Sequence, residues 1–127
     1  MKGKKNITLV AEEGASLSSG SLRLYALPYG AVDLYGYDPL NRRAAVGIMV
    51  AREFRRQGYA LAMLHALEEL STDNYQIHTL FADIAAPNAA SIALFAKAGY
   101  SQCGLFRDWL VVKEQYVDSI RMQKILK

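Results

Sequence analysis

The order of apolar patterns along the chain most restricts its fold. Two nearly alternating segments, SLRLYAL (21–27) and AVDLYGY (31–37), flank the turn residues Pro28 and Gly30, which predicts a β-hairpin. The apolar run AAVGIMV (44–50) follows a second turn and has the character of a more buried strand. Together these segments predict a three-stranded antiparallel meander.

Two helices and three more strands are predicted after the meander. Apolar residues recur at helical spacing from about Arg56 to Leu70, and Pro87 and Asn88 open a second helix that Gly99 ends. This order predicts an α+β fold with mixed αβα layers, in which the meander joins a mixed twisted sheet with helices on its faces. The second helix is AASIALFAKA (89–98). The three strands are IHTLFADI (77–84), GLFRDWLVV (104–112) and YVDSIRMQKIL (116–126).

Composition predicts one domain over residues 1–127, since 52% of the 127 residues are hydrophobic and 21% are charged. The net charge of +3 is mild and, apart from KGKK (2–5), scattered, which favours a small anionic ligand over nucleic acid. Cys103 stands alone, which predicts a reduced, cytoplasmic setting, and no apolar run reaches the ~20 residues of a membrane span. His65 and His78 have no partner at metal-ligand spacing, so we interpret them as structural and expect no metal.

The segment RRQGYA (55–60) lies between a predicted strand and a predicted helix. Gly58 would let a ligand approach the backbone, and the start of the helix offers unpaired N–H groups. Arg55 and Arg56 add positive charge beside those donors, so the segment is a candidate phosphate cradle. The alternative is an ordinary basic loop with a glycine in its turn.

Two motifs in this order resemble the GNAT superfamily of acetyl-CoA-dependent N-acetyltransferases. The first is R-x-x-G-x-A after a strand, and the second is NAASIALFxKxGY (88–100); the resemblance covers about residues 22–126. The chain is similar to both the bacterial spermidine/spermine and the ribosomal-protein alanine acetyltransferases, with a shortened N-terminus. The resemblance implies a GNAT-like fold, acetyl-CoA as cofactor, and direct attack by a small amine or a peptide amino terminus.

The resemblance also implies where the cofactor binds. In this family the pyrophosphate lies over the turn that matches RRQGYA, and the pantetheine arm pairs with the main chain of the preceding strand. Apolar residues in that strand also suit an ordinary core strand, and Asn88 is also a favoured helix N-cap. The implied cofactor-binding residues are Ile48, Met49, Val50, Arg55, Arg56, Gln57, Gly58, Tyr59, Ala60, Asn88, Ser91 and Phe95.

Acetyl transfer to an amine needs a group that accepts the proton of the amine. Asp83 lies five residues before Asn88, where the alanine acetyltransferases carry a glutamate base. In a partly buried strand the charged form of Asp83 would be disfavoured, which suits a base. The alternative is an outward-facing aspartate at an edge, and Asp33 is a second candidate.

The position of the usual general acid is occupied by Phe95, which has no proton to donate. We therefore predict Tyr100 as the acid, with Tyr59, Tyr35 or a water molecule as alternatives. A thiol with a pKa of about 8.5 can depart as its anion with modest help, so the absence of a general acid at Phe95 need not abolish turnover. The rival interpretation is a catalytically weak acyl-CoA-binding or interaction module.

Only twenty residues precede the first predicted hairpin, whereas the family usually has a strand and two helices there that form a wall of the acceptor groove. Two acidic positions of the polyamine branch appear here as Gly36 and Ala45, which argues against polyamine specificity. Because a shortened domain exposes apolar sheet surface, we expect a homodimer.

Overall fold

The computed structural model describes residues 5–126 as a seven-stranded sheet with two α-helices. The predicted meander, both helices and the C-terminal hairpin are confirmed. No helix among the described residues is long and apolar enough to cross a bilayer. In chain order the elements are β1 (Val10–Ala11), β2 (Leu22–Ala26), β3 (Gly30–Asp38), β4 (Arg43–Val50), α1 (Tyr59–Tyr75), β5 (Thr79–Ala85), α2 (Ala89–Lys97), β6 (Ser101–Val112) and β7 (Gln115–Ile125), with short 3-10 turns at Leu17–Ser19 and Arg52–Phe54.

Helix α1 differs from its predicted bounds at both ends. It begins at Tyr59 rather than near Arg56, and it continues beyond Leu70 into the polar segment STDNY (71–75) as far as Tyr75. The extension has a tertiary cause, because Ser71 is fully buried on the side of the helix that faces the core. Gln76 then ends the helix in the left-handed conformation, with φ of 51°.

The sheet has the order β1-β2-β3-β4-β5-β7-β6, and only the pair β4 and β5 is parallel. That pairing covers three residues of each strand and stops at Ala45 opposite Phe81. Strand β3, by contrast, pairs with β4 as far as Gly30 opposite Val50. The upper part of β4 therefore keeps one partner and turns its other edge toward a gap.

Both helices pack against the same face of the sheet, where even-numbered residues of the central strands form the core. The mixed sheet with helices packed on it is as predicted, and within residues 5–126 the second face of the sheet carries no helix. We call this second face the open face. The core includes Leu22, Leu24, Val32, Leu34, Ala44, Val46, Leu80, Ala82, Ile84 and Met122 of the sheet, Met63, Leu64 and Leu67 of α1, and Phe95 and Ala98 from α2 and its C-cap.

Lys124 of β7 links the sheet to both helices. Its Nζ donates to the Glu68 carboxylate of α1 at 2.6 Å and to the Ala98 carbonyl at the end of α2 at 2.7 Å. A cation suits the negative end of a helix dipole. Next to it, Gly99 has φ of 99°, and a Cβ there would lie 3.0 Å from Nζ. The linkage holds α2, and with it the helix start at Asn88, against the sheet.

We expect Lys124→Met to lower the free energy of unfolding by about 1–3 kcal/mol, because it leaves a partly buried carboxylate and a helix-end carbonyl without their donor. Arg43→Met is the matched control: it removes a surface pair with Asp38 in which the arginine side chain is 52% exposed, and it should cost about 0–1 kcal/mol. Urea unfolding of both variants measures the difference. An equal loss in the free energy of unfolding would show that the Lys124 linkage stabilises the fold no more than the surface pair of Arg43 and Asp38 does.

Candidate functional site

A cleft of about 540 Å³ opens beside the upper part of β4, where β4 and β5 no longer pair. One wall is the upper end of β4, the second is the turn leading into α1, and the third is the first two turns of α2. Residues at the N-termini of both helices therefore line this cleft, and such an arrangement favours a negatively charged group. The lining residues are Ile48, Met49, Val50, Arg55, Arg56, Ala60, Asn88, Ala90, Ser91 and Leu94.

The two helix starts differ in how their N–H groups are satisfied. At α2, the Asn88 side chain accepts a hydrogen bond from the Ser91 N–H at 3.1 Å, so Asn88 is both a cap and a lining residue. At α1, Gly58 is the N-cap, with φ of 86°, and as a glycine it has no side chain that could cap the helix. The first N–H groups of α1 have no intrahelical acceptor, which leaves them for a ligand.

The turn before α1 is braced by its own side chains. Arg55 Nε donates to the Val50 carbonyl at 3.0 Å, and the Gln57 amide donates to the Glu53 carbonyl at 2.8 Å. Arg56 takes a left-handed conformation with φ of 62°. Gln57 therefore contributes to the shape of the turn rather than to the lining of the cleft.

An aromatic cluster supports the same turn from the side. Tyr59 stacks on Tyr29 with ring centres 4.0 Å apart, and Phe54 packs edge-on to Tyr29 at 5.0 Å. Lys5 Nζ lies 4.8 Å from the centre of the Tyr59 ring. Stacking of this kind fixes ring positions, so the first residue of α1 is held in place next to Gly58.

Phe95 and Tyr100 lie behind the cleft, in the core on the helix side of the sheet. They are 3% and 5% exposed, and their rings pack edge to face with centres 4.9 Å apart. Burial raises the pKa of Tyr100. Asp83, an odd-numbered residue of β5, lies on the open face, so the structure does not bring the predicted base and the predicted acid together.

Asp83 has a charged partner rather than the apolar surroundings expected from sequence. Arg121 donates from Nε and Nη2 to the two carboxylate oxygens at 2.7 and 2.9 Å, and the Asp83 side chain is 34% exposed. The Asp83 carboxylate raises the pKa of Arg121. The guanidinium carbon of Arg121 also lies 4.4 Å from the centre of the Phe81 ring, within cation–π range.

A second ion pair completes a row of charged residues on the open face. Arg23 donates from Nε and Nη2 to the carboxylate of Asp33 at 2.7 and 2.8 Å. Asp33 pairs with Gly47 of β4, and Asp83 pairs with Arg121 of β7. Neither arginine was predicted as a site residue, although their odd-numbered positions in strands with even-numbered core residues could have placed them on this face.

Comparison with known proteins agrees with this geometry. A family model described as an acetyltransferase (GNAT) domain matches residues 11–101. The [ribosomal protein bS18]-alanine N-acetyltransferase of Salmonella typhimurium is 30% identical over 84 residues, which is 65% of this chain and 55% of that protein. The chain spans about half the length of the curated relatives it matches.

Solved structures show the same fold. The spermidine N-acetyltransferase from Vibrio cholerae in complex with CoA and spermine has a TM-score of 0.80 at 19% identity, covering 85% of this chain and 67% of that one. A dodecameric structure of that enzyme has a TM-score of 0.78 at 20% identity, covering 84% and 65%. The predicted GNAT-like fold is confirmed, and with the family model matched over most of the sequence, the chain belongs to the GNAT acetyltransferase family.

Proposed function

We propose that this protein is an acetyl-CoA-dependent N-acetyltransferase that transfers an acetyl group to a primary amine by direct attack. The observation that carries the proposal is the cleft beside the upper part of β4, which is lined by two arginines and by residues at two helix N-termini. A start of α1 without a side-chain cap, beside Arg55 and Arg56, suits the pyrophosphate of coenzyme A.

The free edge of β4 suits the pantetheine arm of the cofactor. Beyond Ala45, β4 has no strand partner on the side of the cleft, so its main-chain groups can pair with an extended ligand as they would with a peptide. Ile48, Met49 and Val50 supply that edge, and Asn88 and Ser91 face it from α2. In this arrangement Gln57, Gly58 and Tyr59 shape the cradle, and Phe95 packs behind it.

The open face suits the acceptor amine, which is a small amine or a peptide amino terminus. Asp83 is the proposed base, because it lies on β5 two residues beyond Phe81, where the strands separate. Its partner Arg121 holds the carboxylate in a fixed position. Bound acetyl-CoA would supply the thioester, and the chain would position the amine and accept its proton.

The rival function is an acyl-CoA-binding module with little turnover. The observation in its favour is that Phe95 has no hydroxyl and that the nearby Tyr100 is buried with it in the core. Such a protein would keep the cleft and lack a proton donor for the departing sulfur. The cytoplasmic location stays a prediction under either function.

We expect calorimetric titration to show one acetyl-CoA site per chain, and an amine panel to show acetyl-CoA-dependent release of free thiol. Binding with no thiol release from any small amine or peptide would favour the acyl-CoA-binding module. Absence of binding in a folded protein would reject both functions.

Gly58→Val should weaken acetyl-CoA binding by more than tenfold without unfolding the domain. Its φ of 86° strains any β-branched residue and would displace the N–H groups at the start of α1. Gly14→Val is the matched control, because Gly14 has φ of 80° with open space around it and does not line the cleft. Calorimetry measures acetyl-CoA affinity, and thermal melting measures the stability of each variant. Unchanged affinity in a folded Gly58→Val variant would contradict the assignment of RRQGYA as the phosphate cradle.

We also propose that the protein forms a homodimer through the outer part of its C-terminal hairpin. Strand β6 is an edge of the sheet, and the hairpin carries Trp109, Val111 and Tyr116 at 64%, 65% and 70% exposure. Exposed apolar groups of this kind mark interaction sites, and a second copy of the chain offers the same surface to itself. The Vibrio cholerae neighbour is dodecameric.

Light scattering at tens of micromolar should report a dimer, and Trp109→Asp should convert it to a monomer, because a charge would be buried in the contact. Leu40→Asp is the control, since Leu40 is 88% exposed on the β3–β4 turn, away from the hairpin. A wild-type monomer would contradict the proposal, as would a dimer that survives Trp109→Asp.

A further inference from the structure

Tyr35 lies over β4 near the point where β4 stops pairing with β5. It belongs to β3 and pairs with Ala45, the last residue of β4 that pairs with β5. Its Cε1 lies 3.7 Å from the position that a Cβ on Gly47 would occupy, so the ring leans over the glycine. Because Gly47 has no side chain, an aromatic ring from the neighbouring strand can extend toward the gap.

The surroundings of Tyr35 keep its hydroxyl protonated. Burial and the carboxylates of Asp83 and Asp33 raise its pKa, and Arg121 opposes them. Both carboxylates are already bound by arginines, Asp33 by Arg23 and Asp83 by Arg121. Within residues 5–126, Tyr35 makes no side-chain hydrogen bond, and its side chain is partly exposed, so its hydroxyl is an available neutral donor on this face.

The other tyrosines considered as acids lie elsewhere. Tyr100 is buried against Phe95 on the helix side of the sheet. Tyr59 is stacked on Tyr29 at the start of α1, at the phosphate end of the proposed site. If the pyrophosphate lies at α1 and the arm follows β4, the thioester reaches the end where β4 and β5 join. Of the three tyrosines considered as acids, Tyr35 is the one on the strand next to that end of β4.

We propose that Tyr35 donates the proton to the departing sulfur, in the role for which Phe95 has no hydroxyl. This inference rests on the proposed acetyltransferase function. The amine nitrogen forms a bond to the acetyl carbon, the carbon–sulfur bond breaks, and its electron pair stays on sulfur. Sulfur takes the proton of the Tyr35 hydroxyl, while the nitrogen gives a proton to Asp83 or solvent. Solvent then returns a proton to Tyr35, so the overall step is balanced.

A binding experiment tests the contact without turnover. Coenzyme A and its analogue lacking the sulfur, desulfo-coenzyme A, are titrated calorimetrically into the wild type, Tyr35→Phe and Tyr25→Phe. The wild type should prefer coenzyme A by about 2- to 13-fold, the value of one hydrogen bond, and Tyr35→Phe should lose the preference. Tyr25→Phe removes a tyrosine hydroxyl from the same face of the sheet, on β2, and should keep the preference for coenzyme A. A preference that is unchanged in Tyr35→Phe would overturn the proposal.

A kinetic experiment tests the proton transfer. Tyr35→Phe should lower kcat by about tenfold, with acetyl-CoA affinity unchanged. This effect is smaller than the usual range for general acid assistance because a thiolate is a good leaving group. Loss of activity in Tyr100→Phe, with normal kcat in Tyr35→Phe, would assign the role to Tyr100 and overturn the inference. Turnover that is equal in both variants and the wild type would overturn it while leaving the acetyltransferase function intact. A wild type that binds no acetyl-CoA would overturn the function and the inference together.

Discussion

The structure depends on one short pairing, the three parallel residue pairs between β4 and β5. If these strands paired along their full length, β4 would have no free edge and the two helix starts would face a closed sheet. Because the pairing stops at Ala45 and Phe81, a cleft opens that reaches from the cradle at Gly58 into the sheet. The cofactor site follows from this separation.

The two faces of the sheet are built with different chemistry. On the helix face the core is apolar, and Lys124 ties both helices to β7 through a carboxylate and a helix-end carbonyl. On the open face, Arg23 binds Asp33 and Arg121 binds Asp83, so the charges in this row are balanced. These two pairs carry no net charge.

Individual site residues differ in how much of their structural role could be predicted from the sequence. Asn88 was expected to cap α2 and to contact the cofactor, and the structure confirms the cap and places the residue in the cleft lining. The setting of Asp83 was not foreseen, because its partner Arg121 lies 38 residues away in the chain and in the neighbouring strand. For the acid, the sequence predicted Tyr100 with Tyr59 and Tyr35 as alternatives, and only their positions in the folded chain distinguish the three.

The sequence by itself determined the order of strands and helices from β2 onward, the basic glycine turn before α1, the cap of α2 and the family, because each depends on residues close together in the chain. Tertiary structure alone decided where β4 leaves β5, that both helices share one face, and which charged groups meet on the other. Those features depend on strand register and on contacts between distant residues, such as Tyr35 over Gly47 and Arg121 on Asp83. Local patterns carry no signal for register across a sheet, so the chemistry of the open face became visible only in the folded chain.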